Sequence, residues 1–259
     1  MKNSYIRNNG FTQLFLKTTI YLSILAIVFI CGVCTKSEVE VSEWGEVSTL
    51  YVIDIIIGLS VAKKLILLCS SFSAVTGFCQ DWNSKYIQFL IIRKGINRYI
   101  VSKILVCFIS TFIVSFAGIM TFCIGYTIKS PIYSLEDEVE PWGYIGGNKI
   151  PVLYLLVIVL IFSMSCAVWS VIGLTISSYI PNKFVALISP IVASYIIEGL
   201  SYSLPSCINM NYLSKASVAF DIPKELKFMY ILLVFVAITI IAGLLFRKQV
   251  KRRLGNEIV

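Results

Sequence analysis

The sequence predicts an all-α polytopic membrane protein, with six transmembrane helices and both termini cytoplasmic. Three observations carry this. The 259 residues are 58% hydrophobic and only 14% charged, with mean hydropathy +0.86, whereas a soluble domain carries about 25% charged residues. The apolar residues fall into six blocks, each near the ~20 residues that a bilayer-spanning helix needs. The charges between the blocks are sorted by sign, as the positive-inside rule describes. The blocks run without the alternation of a barrel strand. They fill the chain as a single transmembrane domain, with no room for a nucleotide-binding domain.

The blocks follow in order. Residues 1–17 form a basic arm whose Phe11, Leu14 and Phe15 suit a short amphipathic helix lying on the membrane surface. The first span covers 18–34 and is expected to be retained, since no signal-peptidase pattern follows it. An acidic loop comes next, with Glu38, Glu40, Glu43 and Glu46 around Trp44. Residues 50–62 are apolar but contain Asp54, and read either as an interfacial helix or as an outer extension of the second span, 60–80. Lys63 and Lys64 are placed near the outer headgroups, where long side chains snorkel. Residues 81–98 are amphipathic and basic, and Gly95 is expected to end their helix. The third span covers 99–128, and the loop after it is again acidic (Glu136, Asp137, Glu138, Glu140). The fourth span, 151–177, carries Ser163, Ala167, Ser170, Gly173 and Ser177 at helical spacing. Such small residues let helices pack closely in lipid and could instead line a pathway; packing is favoured. A turn at 179–183 leads to the fifth span, 184–198, which Pro190 should kink. Residues 199–226 read as an irregular outer loop with room for a short helix. The sixth span covers 228–246 and a basic tail follows.

Orientation comes from the charges. The arm, the 81–98 stretch with Lys103, the 179–183 turn and the tail hold 14 of the 22 basic residues and 2 of the 14 acids. That side is expected to be cytoplasmic, and the +8 net charge becomes a topology signal rather than a reason to invoke nucleic acid. Trp44 and Trp142 would sit at the outer interface and Trp82 at the inner one.

The residue types exclude several chemistries. There is no His, which removes the usual Ser/His and Cys/His catalytic pairs and most zinc sites. No G-x-x-x-x-G-K-[ST] loop exists to hold ATP, so ATP hydrolysis would need another chain. Cys31 and Cys34 form a C-x-x-C that reads better as two small helix residues than as a redox or metal pair. Glu198 is the lone acid near the end of an apolar span. It is a candidate for a conduit or gate, against a hydrated outer boundary as the plainer reading.

Several features then act together. They are the amphipathic arm, Asp81 after the second span, an amphipathic inner helix leading to Arg93 and Arg98-Tyr99-Ile100, and Ser102-Lys103 entering the third span. Gly173-Leu174, Ser177-Ser178, Asn182-Lys183 and Pro190 complete the set. Over nearly the whole chain this arrangement resembles the membrane (permease) subunit of type-2 ABC exporters. The resemblance implies a second permease chain, identical or related, and two copies of a cytoplasmic ATPase that bind ATP and Mg. The 81–98 segment becomes a coupling helix, with Asp81, Trp82, Tyr86, Phe89, Leu90, Arg93 and Lys94 as the ATPase-coupling residues. The alternative for this segment is a surface helix held by anionic lipid; docking is favoured because a plain connection could be much shorter. Glu198, Ser163 and Ser170 are the candidate substrate-pathway residues. The cargo is expected to be amphipathic, with an antimicrobial or cytolytic peptide first and a lipid-linked compound or drug second. The acidic outer loops could attract a basic peptide, although topology alone accounts for them. A secondary carrier or channel without an ATPase is the competing class. It predicts internal repeats and buried mid-membrane charges, neither of which the sequence displays. An intramembrane enzyme is disfavoured by the lack of His and of clustered acids. The Lys/Asn/Ile usage suggests a bacterial plasma membrane.

Overall fold

In lipid the backbone must satisfy its own hydrogen bonds, and continuous apolar blocks do so as helices. The computed structural model describes residues 2–39, 48–58, 60–132, 150–203, 205, 208–214 and 224–257. It leaves out the side chains of 2–17, 37–39, 60, 73, 94, 224, 225, 256 and 257. Among the described residues the structure is all-helical: α1 (Lys2–Val39), α2 (Thr49–Gly58), α3 (Ser60–Val75), α4 (Gly77–Asn83), α5 (Tyr86–Lys94), α6 (Ile96–Thr127), α7 (Pro151–Tyr179), α8 (Lys183–Ser201), α9 (Met210–Ser214) and α10 (Lys224–Glu257). Five are long and apolar enough to cross a membrane, and the bent pair α3–α4 would make a sixth. The side chains of the acidic loops and of Trp44 and Trp142 lie outside the described residues, as do those of Phe11, Leu14 and Phe15.

The central helix is α7. Of its most apolar 18-residue window 72% is buried, against 17% for α10 and 22% for the spanning part of α1, so α1 and α10 are the least buried of the long helices. α7 packs against α3, α6, α8 and α10. Its small residues allow this: a Cβ on Gly173 would lie 2.5 Å from the Pro190 ring on α8. Gly118 on α6 is pressed as closely by Ile27 of α1, at 2.8 Å from an added Cβ.

Side-chain contacts define two poles. At the basic pole the Arg253 guanidinium sits 5.2 Å over the Trp82 ring and donates to the Tyr179 carbonyl, and the Cys79 thiol lies 3.6 Å from the Asn182 carbonyl. This gathers the ends of α4, α7 and α10 and the starts of α6 and α8. α1 runs parallel to α6, because Ile27 meets Gly118 and residues 28–36 share a groove with 121–129. The start of α1 and the end of α10 therefore share the basic pole.

Four expectations change. The basic arm is continuous in its backbone with the first span, giving one 38-residue helix instead of a separate surface helix. Residues 50–62 contain α2, whose Leu50, Ile53, Ile56 and Ile57 are buried in the main core. Thr49 and Leu50 donate backbone hydrogen bonds to the Pro131 and Ile132 carbonyls, which pins α2 at the opposite pole. The stretch expected to form one span over 60–80 is two helices, α3 and α4, bent by 41°; Lys103 donates to the Gly77 carbonyl at the bend. A side chain entering at a helix break is a recognised cause of a sharp kink. Lys63 and Lys64 do not snorkel: each is 4% exposed and points into the bundle.

Candidate functional site

Two sites emerge, one at each pole. The first is the α4–α5 elbow. The expected single helix over 81–98 is two helices, joined where Ser84 ends α4 and Lys85 takes a left-handed conformation (φ 55°). Gly95 ends α5 at φ 77°, a value glycine adopts without strain. The predicted coupling residues divide at this elbow. Asp81 and Trp82 face inward. The Asp81 carboxylate accepts from Lys103 Nζ at 2.8 Å and from the Tyr99 hydroxyl at 2.8 Å. Trp82 packs 5.8 Å from the Phe78 ring and under Arg253. Phe78 meets Phe246 of α10 edge-on at 5.4 Å, so α4 is held by α6 and α10 together.

On α5, Ile87 is buried and Leu90 half-buried against the basic-pole core, while Tyr86, Phe89 and Arg93 are exposed. Lys94 continues the same helix, with its side chain outside the description. The sequence reading missed Ile92, which at 84% is more exposed than Phe89 at 69%. These two lie three residues apart and so share a face. A cleft of ≈ 380 Å³ opens beside the elbow, lined by Trp82, Asn83, Lys85, Ile87 and Gln88.

The second site is a buried charge cluster toward the opposite pole. Glu198 lies fifteen residues into α8, about 22 Å from its start. Lys63 Nζ is 2.9 Å from Glu198 Oε1, and Lys64 Nζ is 2.6 Å from Oε2. Lys63 also donates to Asn211 Oδ1 and Ser214 Oγ of α9, both at 2.9 Å. Lys64 donates to Ser194 Oγ at 2.8 Å and lies 4.8 Å over the Tyr195 ring. Glu198 is 8% exposed, so the hydrated-boundary reading does not hold inside this chain. Two cations flank one anion; Lys63 draws its further partners from α9 and Lys64 from α8. The cluster therefore ties α3, α8 and α9 at one point. Each member was visible as a lone charge in an apolar stretch, but the pairing spans 134 residues and has no local signal.

Ser163 and Ser170, the other pathway candidates, are fully buried on α7. Ser170 Oγ donates to the Ala167 carbonyl at 2.7 Å and accepts from the Cys107 thiol at 3.6 Å. Ser163 Oγ has no hydrogen-bond partner among the described residues. Both sit in the packed interior around α7, apart from the charge cluster's hydrogen bonds. Cys31 is buried and Cys34 half-buried on α1, and no group of three or more His, Cys, Asp or Glu suited to a metal occurs among the described residues.

No protein-family model, curated protein or solved structure matches this chain. The functional reading accordingly rests on these two sites.

Proposed function

We propose that this chain is the transmembrane subunit of an ATP-driven ABC exporter, working with a second permease chain and two copies of a separate cytoplasmic ATPase. The reading places the basic pole in the cytoplasm of a bacterial plasma membrane, on the sign of its charges. The chain itself would hold no ATP, Mg or catalytic residue. The supporting observation is the α5 face. Phe89 and Ile92 are large apolar side chains left exposed at that pole. The α4 helix behind them is braced to α6 and α10 through Asp81–Lys103 and Trp82–Arg253. An exposed apolar pair on a helix joined directly to a braced one, flanked by Arg93, is what a docking knob requires. The cargo proposed first is an amphipathic peptide, and a lipid-linked compound or drug second.

The test is co-purification of the tagged chain in mild detergent, followed by Phe89→Asp and Ile92→Asp. An ABC ATPase should co-purify with the wild type and be lost from both variants, while their melting temperatures stay within the effect of a surface change, roughly ±0.5 kcal/mol. Recovery of the ATPase with both variants would remove α5 as the docking element. Transport that persists without ATP would remove the exporter reading altogether.

One observation favours a second reading, a secondary carrier. Buried Lys63, Lys64 and Glu198 are the kind of intramembrane charges such carriers use for coupling. In that case Glu198→Gln would abolish uptake or efflux driven by an ion gradient in vesicles lacking ATP.

A further inference from the structure

A groove of ≈ 410 Å³ runs between α1 and α6 toward the opposite pole. Its lining has a direction. Val28 and Phe122 lie at its deep end, Gly32 and Gly125 in the middle, and Lys36 and Lys129 at its outer end. Since α1 and α6 run parallel, Val28 to Lys36 and Phe122 to Lys129 each cover about 10–12 Å along the axis. Lys36 is the last residue of the α1 span and Lys129 lies two residues past the end of α6. Both ammoniums therefore sit at the level where an apolar span gives way to headgroups.

We propose that this groove holds one anionic phospholipid of the surrounding bilayer, with its phosphate between Lys36 and Lys129 and an acyl chain along Val28 and Phe122. Three observations argue for that occupant. The groove exists because of two glycines: an added Cβ on Gly32 or Gly125 meets no atom within 4 Å, so their missing side chains leave room for a ligand. Its two threonines are already engaged, and Tyr126 adds a hydroxyl to the lining. Thr35 donates to the Cys31 carbonyl at 2.7 Å and Thr121 to the Ala117 carbonyl at 2.7 Å. The two lysines, by contrast, are exposed and have no hydrogen-bonding or ion-pair partner among the described residues. A cationic mouth over an apolar floor complements a negative headgroup on a hydrocarbon tail, and repels a cationic amphiphile. The proposal requires the bundle to lie in a membrane and is independent of the exporter reading.

The test is native mass spectrometry of the detergent-purified full chain, titrated with phosphatidylglycerol or phosphatidylcholine. One phosphatidylglycerol should be retained with roughly tenfold preference or more, from two lysines near a lipid phosphate. Lys36→Gln with Lys129→Gln should remove that preference while leaving weak retention of both lipids. Gly125→Leu, which fills the groove with a better helix former, should reduce retention of both. If the lysine pair cannot be purified folded, Gly125→Leu and Gly32→Leu decide by the same readout. An unchanged preference in the lysine variant, or unchanged retention in the glycine variants, overturns the proposal. Displacement of the lipid by millimolar inorganic phosphate alone would also overturn it, since the site would then recognise a free anion and not a lipid.

Discussion

Changing Glu198 to Gln leaves the buried cluster with two ammoniums and no anion. Both would remain within 2.9 Å of a neutral amide and only 4% exposed. Breaking a buried pair by removing one partner costs on the order of 3–5 kcal/mol, because the remaining charge is uncompensated. At about 2–4 °C per kcal/mol this is a fall of roughly 10 °C in melting temperature. The 2:1 stoichiometry makes the opposite change mild. Lys64→Met leaves Lys63 and Glu198 as a one-to-one pair, still supported by Asn211 and Ser214. It loses a charged hydrogen bond of ~1.5–3 kcal/mol, partly offset by removal of the second cation. Combining Lys64→Met with Glu198→Gln leaves one unmatched ammonium instead of two. The double variant should therefore melt above Glu198→Gln alone, an effect additivity would not give. The assay is thermal unfolding of the purified protein in detergent, followed by circular dichroism at 222 nm. If Lys64→Met costs as much as Glu198→Gln, or the double variant melts lowest, the cluster is not governed by its charge balance.

Two further outcomes are expected. Gly173→Ala should destabilise by ~1–3 kcal/mol in the same melt, because its Cβ would meet the rigid Pro190 ring at 2.5 Å and overpacking is not relieved by a rotamer change. Asp81→Asn should free Lys103 and loosen α4 from α6; limited trypsinolysis at the exposed Lys85 should then speed up by about tenfold or more, in line with a loss of ~1.5–3 kcal/mol per charged hydrogen bond, while an unchanged rate would mean the elbow is held without that pair.

Much of the fold was legible because it follows from local pattern. Apolar block length placed the spans, and Gly95 ended its helix as expected, since a left-handed backbone is needed there. Lys63, Lys64 and Glu198 were misjudged for a physical reason. A charge in an apolar stretch can reach either the lipid surface or another charge, and only the fold reveals a partner 134 residues away. The elbow was hidden similarly. Residues 81–98 are amphipathic throughout, and the break at Ser84–Lys85 carries no Gly or Pro to announce it. Of the residues expected to couple, Tyr86, Phe89 and Arg93 are exposed on α5, whereas Asp81, Trp82 and Leu90 are partly buried; the exposed Ile92 was overlooked.

The same cluster sets a constraint on synthesis. At about 5–20 residues per second a chain takes roughly 7–27 s to extend from Lys64 to Glu198 across the 134 positions between them. Throughout that interval α3 has its two lysines but not the carboxylate, and Asn211 and Ser214 come later still. The nascent chain must keep the start of α3 in contact with water or headgroups until α8 is made. Assembly of this bundle is thus closed from its C-terminal half, and a chain cut short before Glu198 would be left with an α3 that has no settled place in the membrane.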